Sequence, residues 1–292
     1  MDVFSKTTKV GFIGLGIMGQ SMAAHLQKAG YPLQVFNRTK SKADALIAGG
    51  AIWYDTPGDV AAVSDVIITM VGYPADVEQV FLGADGIVAR AKAGTYLIDM
   101  TTSEPALAVK IEQAARFKGQ FSLDAPVSGG EMGAKNATLS IMAGGEKTTF
   151  DTLMPLLKIM GENIRLQGEA GAGQHTKMCN QIVIAGNMLA VSEGITYAIK
   201  TGLNPETVLK SICTGAASSF LLNGLGPKMI EGDFTPGFFV HHFIKDMGIA
   251  LKEADAVGAD LPGLKVAYEL YKKVADNGGR EDGTQALIKA YG

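Results

Sequence analysis

The sequence predicts an α/β amino-terminal half, a doubly wound parallel sheet, followed by an all-α carboxy-terminal domain joined to it by a long helix. Three observations predict this. Short apolar runs alternate with helical segments up to about residue 168. A small-residue stretch, Gly168-Glu169-Ala170-Gly171-Ala172-Gly173, then marks a boundary. Beyond it nearly every segment reads helical, beginning with residues 174–200, which contain no proline. Strands separated by helical crossovers favour a parallel sheet with right-handed connections. The domains are therefore placed at 1–169 and 170–292.

The elements follow in order. Lys9-Val10-Gly11-Phe12-Ile13 reads as the first strand, and it enters Gly14-Leu15-Gly16-Ile17-Met18-Gly19. An amphipathic helix over 21–29 follows, closed by Gly30. Leu33-Gln34-Val35-Phe36 is the second strand and 51–54 the third, with a helix over about 56–63. Residues 65–71 are almost continuously apolar, as a strand buried on both faces requires. Tyr96-Leu97-Ile98-Asp99 comes next, then a helix over 106–117 opened by Ser103, Glu104 and Pro105. Strands over 121–124, 139–143 and 164–166 complete this half. Helix 174–200 would span about 40 Å at a rise of ~1.5 Å per residue. It is apolar on most sides and expected to be buried, with Gly202 capping it. Further helices are expected at about 205–214, 219–229, 243–257, 263–277 and 284–291.

Bulk composition narrows the function classes. A chain of 292 residues with 47% hydrophobic and 19% charged residues can bury a large core and argues against disorder. Its formal net charge of −3 argues against a nucleic-acid or membrane-surface partner. The two cysteines, Cys179 and Cys213, lie far apart, and there are only four histidines. No disulfide framework and no metal are expected, and a reducing, cytoplasmic setting is. Residues 1–9 lack an apolar signal core. The longest apolar run, 182–191, is interrupted by Asn187 and is shorter than a bilayer span.

The strongest chemical signal is the G-x-G-x-x-G turn of Gly14, Gly16 and Gly19, with Leu15, Ile17 and Met18 between them. Alone it is weak in a chain of 37 glycines. Its context, strand before and helix after with a second strand beyond, makes it a dinucleotide fingerprint. Gly14 would make the tight turn, Gly16 admit the pyrophosphate and Gly19 allow close packing of helix on strand. The helix start supplies free N–H groups and its positive dipole end. Where an NAD site places a carboxylate for the ribose hydroxyls, this chain has Asn37-Arg38-Thr39. A carboxylate repels a 2′-phosphate, whereas Arg38 offers it a planar fork. NADP is favoured over NAD, and the alternative is a solvated basic loop.

Three further clusters are candidates. Asp124-Ala125-Pro126-Val127-Ser128-Gly129-Gly130-Glu131 follows a strand and can turn a hydroxyl and successive N–H groups toward one carboxylate, or be an ordinary turn. Thr101-Thr102-Ser103 also follows a strand. On the long helix Lys177, Asn180 and Gln181 stand at i, i+3 and i+4, on one face. A Lys in such apolar surroundings suits proton transfer, or snorkels to water at the helix start. Between Phe238 and Met247, Lys245 and Asp246 are expected to begin an apolar helix, where a cation is unfavourable to the dipole. Adjacent His241 and His242 point different ways and do not chelate as a pair.

These motifs together resemble the β-hydroxyacid dehydrogenases, over nearly the whole chain. Gly11-Phe12-Ile13-Gly14-Leu15-Gly16-Ile17-Met18-Gly19 is similar to the family's opening motif, and Asp124-Ala125-Pro126-Val127-Ser128-Gly129-Gly130 to its substrate motif. Residues 171–181, with Lys177 and Asn180, resemble its catalytic motif G-x-G-x-x-x-K-x-x-N-N, and Lys245-Asp246-Met247 its cofactor-side motif. The resemblance implies that Lys177 is the general acid/base, that Ser128, Gly129 and Gly130 bind the substrate carboxylate, and that Asn180 orients substrate. It implies that Thr102 touches the nicotinamide side, that Lys245 approaches the cofactor, that Phe238 and Asp246 line or brace the site, and that Met70 and Val71 form a wall. Gln181 departs from the motif's last Asn by one methylene. Some tartronate semialdehyde reductases share that feature, whereas Asn37-Arg38-Thr39 with His242 resembles the glyoxylate/succinic semialdehyde reductases.

The resulting expectation is an NADP-preferring, reversible reductase of a small carboxylate-bearing aldehyde. It would act as a homo-dimer or homo-tetramer, because the long helix is too apolar for a monomer surface. The alternatives are an imine reductase, against which Lys177 speaks, and a non-catalytic NADP-binding scaffold. A 6-phosphogluconate dehydrogenase would need a longer helical domain and more arginines than the single Arg280 after residue 170.

Overall fold

The computed structural model describes residues 4–292; the first three residues lie outside the described residues. The chain divides into two compact units, one ending at Lys177 and the other Met178–Gly292.

The first unit is organised by a nine-stranded sheet. In chain order it runs β1 (Val10–Ile13), α1 (Ile17–Lys28), β2 (Leu33–Phe36), α2 (Asp44–Ala48), β3 (Ile52–Trp53), α3 (Pro57–Val63) and β4 (Val66–Thr69). Next come α4 (Pro74–Leu82), α5 (Ile87–Arg90), β5 (Tyr96–Asp99), α6 (Pro105–Phe117), β6 (Phe121–Asp124) and β7 (Val127–Ser128). The unit closes with α7 (Gly130–Asn136), β8 (Leu139–Gly145), α8 (Lys147–Leu157), β9 (Gly161–Gly168) and the first turns of α9 (Ala172–Lys200). Six parallel strands lie in the order β3-β2-β1-β4-β5-β6. β8 then pairs antiparallel with β6, and β7 and β9 both pair with β8.

Successive strand residues point to opposite faces, and each face has its own core. Phe12, Ile68 and Ile98 pack with Met22 and Leu26 of α1. Their neighbours Ile13, Ile67 and Leu97 pack with Val60 of α3, Phe81 of α4 and Ile111 of α6. Burial on both faces is why these strands read as continuous apolar runs. The register also aligns the strand ends in one row, Phe36–Ile13–Thr69–Asp99–Asp124. Open α/β sheets bind ligands beyond such carboxyl ends.

Several local expectations change. α1 begins at Ile17, inside the glycine turn, rather than at residue 21. α2, α4, α5, α7 and α8 have no counterpart among the expected helices. α5 and α7 are too short to show a period, and Pro155 interrupts the pattern in α8. α4 carries Pro74 in its first turn and Asp76, whose carboxylate accepts the Tyr73 N–H at 3.1 Å. Ser103 does not cap α6: Glu104 is the N-cap, without a side-chain bond.

The second unit is helical: the rest of α9, then α10 (Pro205–Ile212), α11 (Phe220–Glu231), α12 (Val240–Ala256) and α13 (Pro262–Asp276). Met188, Phe243, Met247, Tyr271 and Leu287 are among its core residues. Tyr271 is fully buried and its hydroxyl donates to the Thr284 carbonyl at 2.8 Å. Burial holds that phenol well above its ordinary pKa. The closing segment Thr284–Ala290 is a 3-10 helix, not the expected α-helix. α12 begins at Val240, so Lys245 and Asp246 sit in its second turn rather than opening it. α9 is only partly buried within the chain: Met188 and Ile195 are in the core, whereas Val183 and Tyr197 are 68% and 69% exposed. By length and composition alone it would pass as a membrane-crossing helix, contrary to the reading from its longest apolar run. Its first turns are nonetheless tied into the first unit by buried hydrogen bonds, described next.

Candidate active site

The glycine turn is shaped by two steric requirements and one opening. Gly14 has φ +95°, and a Cβ there would lie 2.2 Å from the Met70 carbonyl oxygen. A Cβ on Gly19 would lie 2.0 Å from the Gly14 carbonyl oxygen. A Cβ on Gly16 would meet nothing within 4 Å. The first two glycines serve packing, and the third faces open space beside the α1 N-terminus, where Gly16 supplies no side-chain cap. This arrangement fits the pyrophosphate of a dinucleotide. Leu15 is fully buried, Met18 half-buried and Ile17 exposed.

Asn37 has a local role that sequence alone does not show. Its Oδ1 accepts the Leu15 N–H at 2.9 Å and its Nδ2 donates to the Thr39 carbonyl at 2.9 Å. It thus ties the glycine turn to the end of β2. The Arg38 side chain is 80% exposed, with Nη1 3.2 Å from Asp76 Oδ1 at the start of α4. Such an exposed pair contributes little and opens readily. Thr39 is exposed, and Met70 and Val71 are half-buried beyond β4.

Beyond β5 and β6 lies a buried polar network. Asp99 Oδ1 accepts from Thr69 Oγ1 at 2.7 Å and from the Thr101 N–H at 3.0 Å. Thr101 Oγ1 accepts the Val71 N–H at 3.0 Å. Burial pushes the Asp99 carboxyl up to about 6, opposed by its hydrogen bonds from Thr69 and Thr101. Asp124 accepts the Gly171 N–H at 2.7 Å and the Gln174 N–H at 2.8 Å, satisfying donors at the start of α9. Its carboxyl is also raised by burial, against the lowering effect of those N–H groups. Lys177, one turn further on, is only 7% exposed, and its Nζ donates to the Val127 carbonyl at 2.8 Å. The segment 124–128 therefore holds both the start of α9 and the Lys177 ammonium.

Ser128 is half-buried, and Gly129 and Gly130 are exposed with φ +126° and +59°. They lead into α7 instead of closing an isolated turn. Thr102 is half-buried between Thr101 and Ser103, both buried. Sequence alone gives no individual role to Asp99, Asp124 or Gln174, although Asp124 opens the substrate-like motif. Their available signals were an acidic residue ending each of two apolar strands and a Gln opening an apolar helix.

The second unit brings four expected residues into one chain of contacts. Asn180 Nδ2 donates to Gln181 Oε1 at 2.7 Å, and Gln181 Nε2 donates to Asp246 Oδ2 at 2.6 Å. Asp246, 2% exposed, has its Oδ1 3.0 Å from Lys245 Nζ. The extra methylene of Gln181 thus has a use: it reaches a buried carboxylate. Phe238 stacks against His242 at 6.4 Å. Burial, then the charges of His241 and Lys245, depress His242 to about 4. Among the described residues, no group of three or more His, Cys, Asp or Glu is placed to hold a metal.

Comparison with known proteins agrees with this geometry. Residues 9–168 match the family model described as the NAD binding domain of 6-phosphogluconate dehydrogenase. Residues 171–291 match the one described as NAD-binding of NADP-dependent 3-hydroxyisobutyrate dehydrogenase. The chain is 58% identical to an uncharacterized oxidoreductase of Bacillus subtilis (strain 168), covering 97% of this chain and 98% of that one. It is 40% identical to 2-hydroxy-3-oxopropionate reductase of Escherichia coli (strain K12), covering 97% and 96%. The solved structure of Mycobacterium tuberculosis 3-hydroxyisobutyrate dehydrogenase with L-serine superposes with a TM-score of 0.89 at 31% identity, covering 98% and 99%. An imine reductase of Streptomyces aurantiacus, at 22% identity and a TM-score of 0.66 over 98% and 100%, shares the fold alone. With its glycine turn, its buried Lys177 and these relatives across nearly its full length, the chain belongs to the β-hydroxyacid dehydrogenases, NAD(P)-dependent oxidoreductases acting on hydroxyl groups.

Proposed function

We propose that this protein reduces a small carboxylate-bearing aldehyde with NADPH and runs in reverse as a hydroxyacid dehydrogenase. The observation that carries the reading is Lys177, a buried ammonium held by the carbonyl immediately before Ser128. In this reading residues 1–169 bind the cofactor, and 170–292 supply substrate contacts and the oligomer interface. Gly14–Gly19 holds the pyrophosphate at the start of α1. Asn37, Arg38 and Thr39 receive the adenine ribose, with Met70, Val71, Thr102 and Lys245 along the cofactor. When bound, the reduced cofactor supplies the hydride that reduces the aldehyde carbon. Ser128, Gly129 and Gly130 dock the substrate carboxylate. Lys177 Nζ gives its proton to the aldehyde oxygen, and its charge stabilises the developing alkoxide. Asn180 orients the substrate, while Gln181, Phe238 and Asp246 brace or line the site.

Support for NADP is the absence of a carboxylate at the end of β2 and the fork of Arg38 there. Support for a semialdehyde is the name of the E. coli relative, whose substrate is a three-carbon aldehyde with a carboxylate. A homo-dimer or homo-tetramer would cover the exposed apolar residues of α9, and light scattering would measure it. The deciding experiment is a steady-state panel of glyoxylate, succinic semialdehyde, tartronate semialdehyde and methylmalonate semialdehyde, each with NADPH and NADH. Turnover of at least one aldehyde, with higher kcat/KM for NADPH, is expected. In Arg38→Ala the NADPH advantage should shrink by roughly tenfold, about 1.4 kcal/mol. Reaction only of ketone with amine would reverse the reading. An NADH preference unchanged in Arg38→Ala would overturn the cofactor assignment.

A further inference from the structure

The side chain of Gln174 makes a two-point contact that the proposed chemistry has not yet used. Its Oε1 accepts the Ser103 N–H at 2.9 Å, and its Nε2 donates to the Thr101 carbonyl at 2.7 Å. Those are the two peptide groups flanking Thr102. Gln174 is fully buried, its own N–H is held by Asp124, and it stands three residues before Lys177 on the same helix. We infer that Gln174 is a positioning residue, whose amide brackets Thr102 and sets it at a fixed distance from Lys177. The inference rests on the reading of Thr102 as the nicotinamide-side contact and Lys177 as the proton donor.

The physical argument has three parts. A primary amide can accept from one peptide through its oxygen and donate to another through its nitrogen at once. Both hydrogen bonds lie in a buried setting, where they exchange poorly with water and are directional. The backbone of α9 between Gln174 and Lys177 is a single helical turn, so a shift at one end is transmitted to the other. The loop is also held from its other side, by Asp99 on the Thr101 N–H and by Thr101 Oγ1 on the Val71 N–H. The Gln174 contacts connect it to the helix that bears Lys177. Reactions that need a donor and an acceptor aligned lose rate steeply when one of them moves by about 1 Å.

Two variants test this. Gln174→Met fills a similar volume without the amide, and Gln174→Asn keeps the amide but falls one methylene short. Both are compared with wild type for kcat, aldehyde KM, the NADPH dissociation constant, the primary isotope effect with deuterated NADPH, and hydrogen exchange of the Ser103 amide in the cofactor-free protein. The expected result is a kcat lowered roughly 10- to 100-fold, with KM and the NADPH dissociation constant within about threefold. The isotope effect should rise, and the Ser103 amide should exchange at least roughly tenfold faster. The isotope effect is a ratio, so it holds even where only part of a preparation is folded. A lower melting temperature with kcat and isotope effect unchanged would reduce Gln174 to a structural role and overturn the inference. So would an unchanged Ser103 exchange rate, or failure of both variants to fold. If wild type turns over none of the four aldehydes, the proposed function fails first; if it does and the variants match it, only the positioning role fails.

Discussion

The two polar networks of the molecule hold different things. In the first unit the bonds from Asp99, Asp124, Gln174 and Lys177 end mostly on main-chain groups: Thr101 N–H, Gly171 and Gln174 N–H, Ser103 N–H, and the Thr101 and Val127 carbonyls. In the second unit Asn180, Gln181, Asp246 and Lys245 bond side chain to side chain. A bond to main chain fixes where a loop or helix start runs, whatever side chains the loop carries. A side-chain relay fixes only its members, and a longer member can be accommodated by moving the next. That is how Gln181 stands where the family motif has Asn.

The largest effect should come from the residue that ends the first network. Lys177→Ala is expected to lower kcat by on the order of 10²–10⁴-fold while NADPH binding stays within about threefold, measured by turnover and fluorescence titration. Turnover close to wild type would remove the chemical reason for the first network's rigidity.

Asp99 gives the next largest effect, and its sign is specific. Burial raises its carboxyl from 3.8 to about 6, so the folded chain keeps a proton that the unfolded chain has released between those values. Folding stability is therefore lost as pH rises from about 4 to about 6, and the full cost, about 3 kcal/mol, stands above that range. Asp99→Asn carries no such cost and can still accept the Thr101 N–H. Its stability advantage over wild type should grow from pH 4 to pH 6 and then level off in denaturation curves. A pH-independent difference would show that Asp99 is not a buried charge in solution.

The second network should respond more mildly. Gln181→Asn cannot reach Asp246 and leaves that buried carboxylate without one donor. A loss of about 1–3 kcal/mol in stability is expected, with a smaller change in kcat than any variant of Lys177. A large kcat loss with unchanged melting temperature would move Gln181 into the chemistry and blur the contrast between the two networks.

The smallest effect belongs to His242, beside Lys245. Its pKa is depressed from 6.5 to about 4, so the fold favours the neutral ring. Stability from this source is complete above about 6.5 and is lost as pH falls toward about 4. The half-buried ring makes the slope shallow. His242→Asn should flatten it in a melting-temperature series from pH 7 to pH 4.5.

Much of this was legible in the amino-acid order. The strands around Phe12, Ile68 and Ile98 were visible because burial on both faces demands unbroken apolar runs. The glycine turn was visible because Gly14 and Gly19 stand where a side chain would strike a carbonyl. Lys177 was visible as a cation in an apolar helix. The short helices α5 and α7 were not legible, since so few turns show no period, and neither was the start of α12, whose N-cap Phe239 provides no capping side chain to mark it. The roles of Gln174 and Asp124 were also hidden. Their partners, Thr101 and Ser103 for one and Gly171 for the other, lie roughly 50 to 70 residues away in sequence, and main-chain partners leave no trace in residue type.

The sequence by itself determined the α/β-then-α order, the dinucleotide turn, the absence of an acid after β2 and the family, because each depends on local periodicity or on a residue type at a fixed spacing. The tertiary structure alone decided what Asn37, Gln181 and Gln174 hold, and that the apolar length of α9 remains partly exposed. Those properties depend on which distant groups the sheet register and helix packing bring within about 3 Å, the reach of a hydrogen bond.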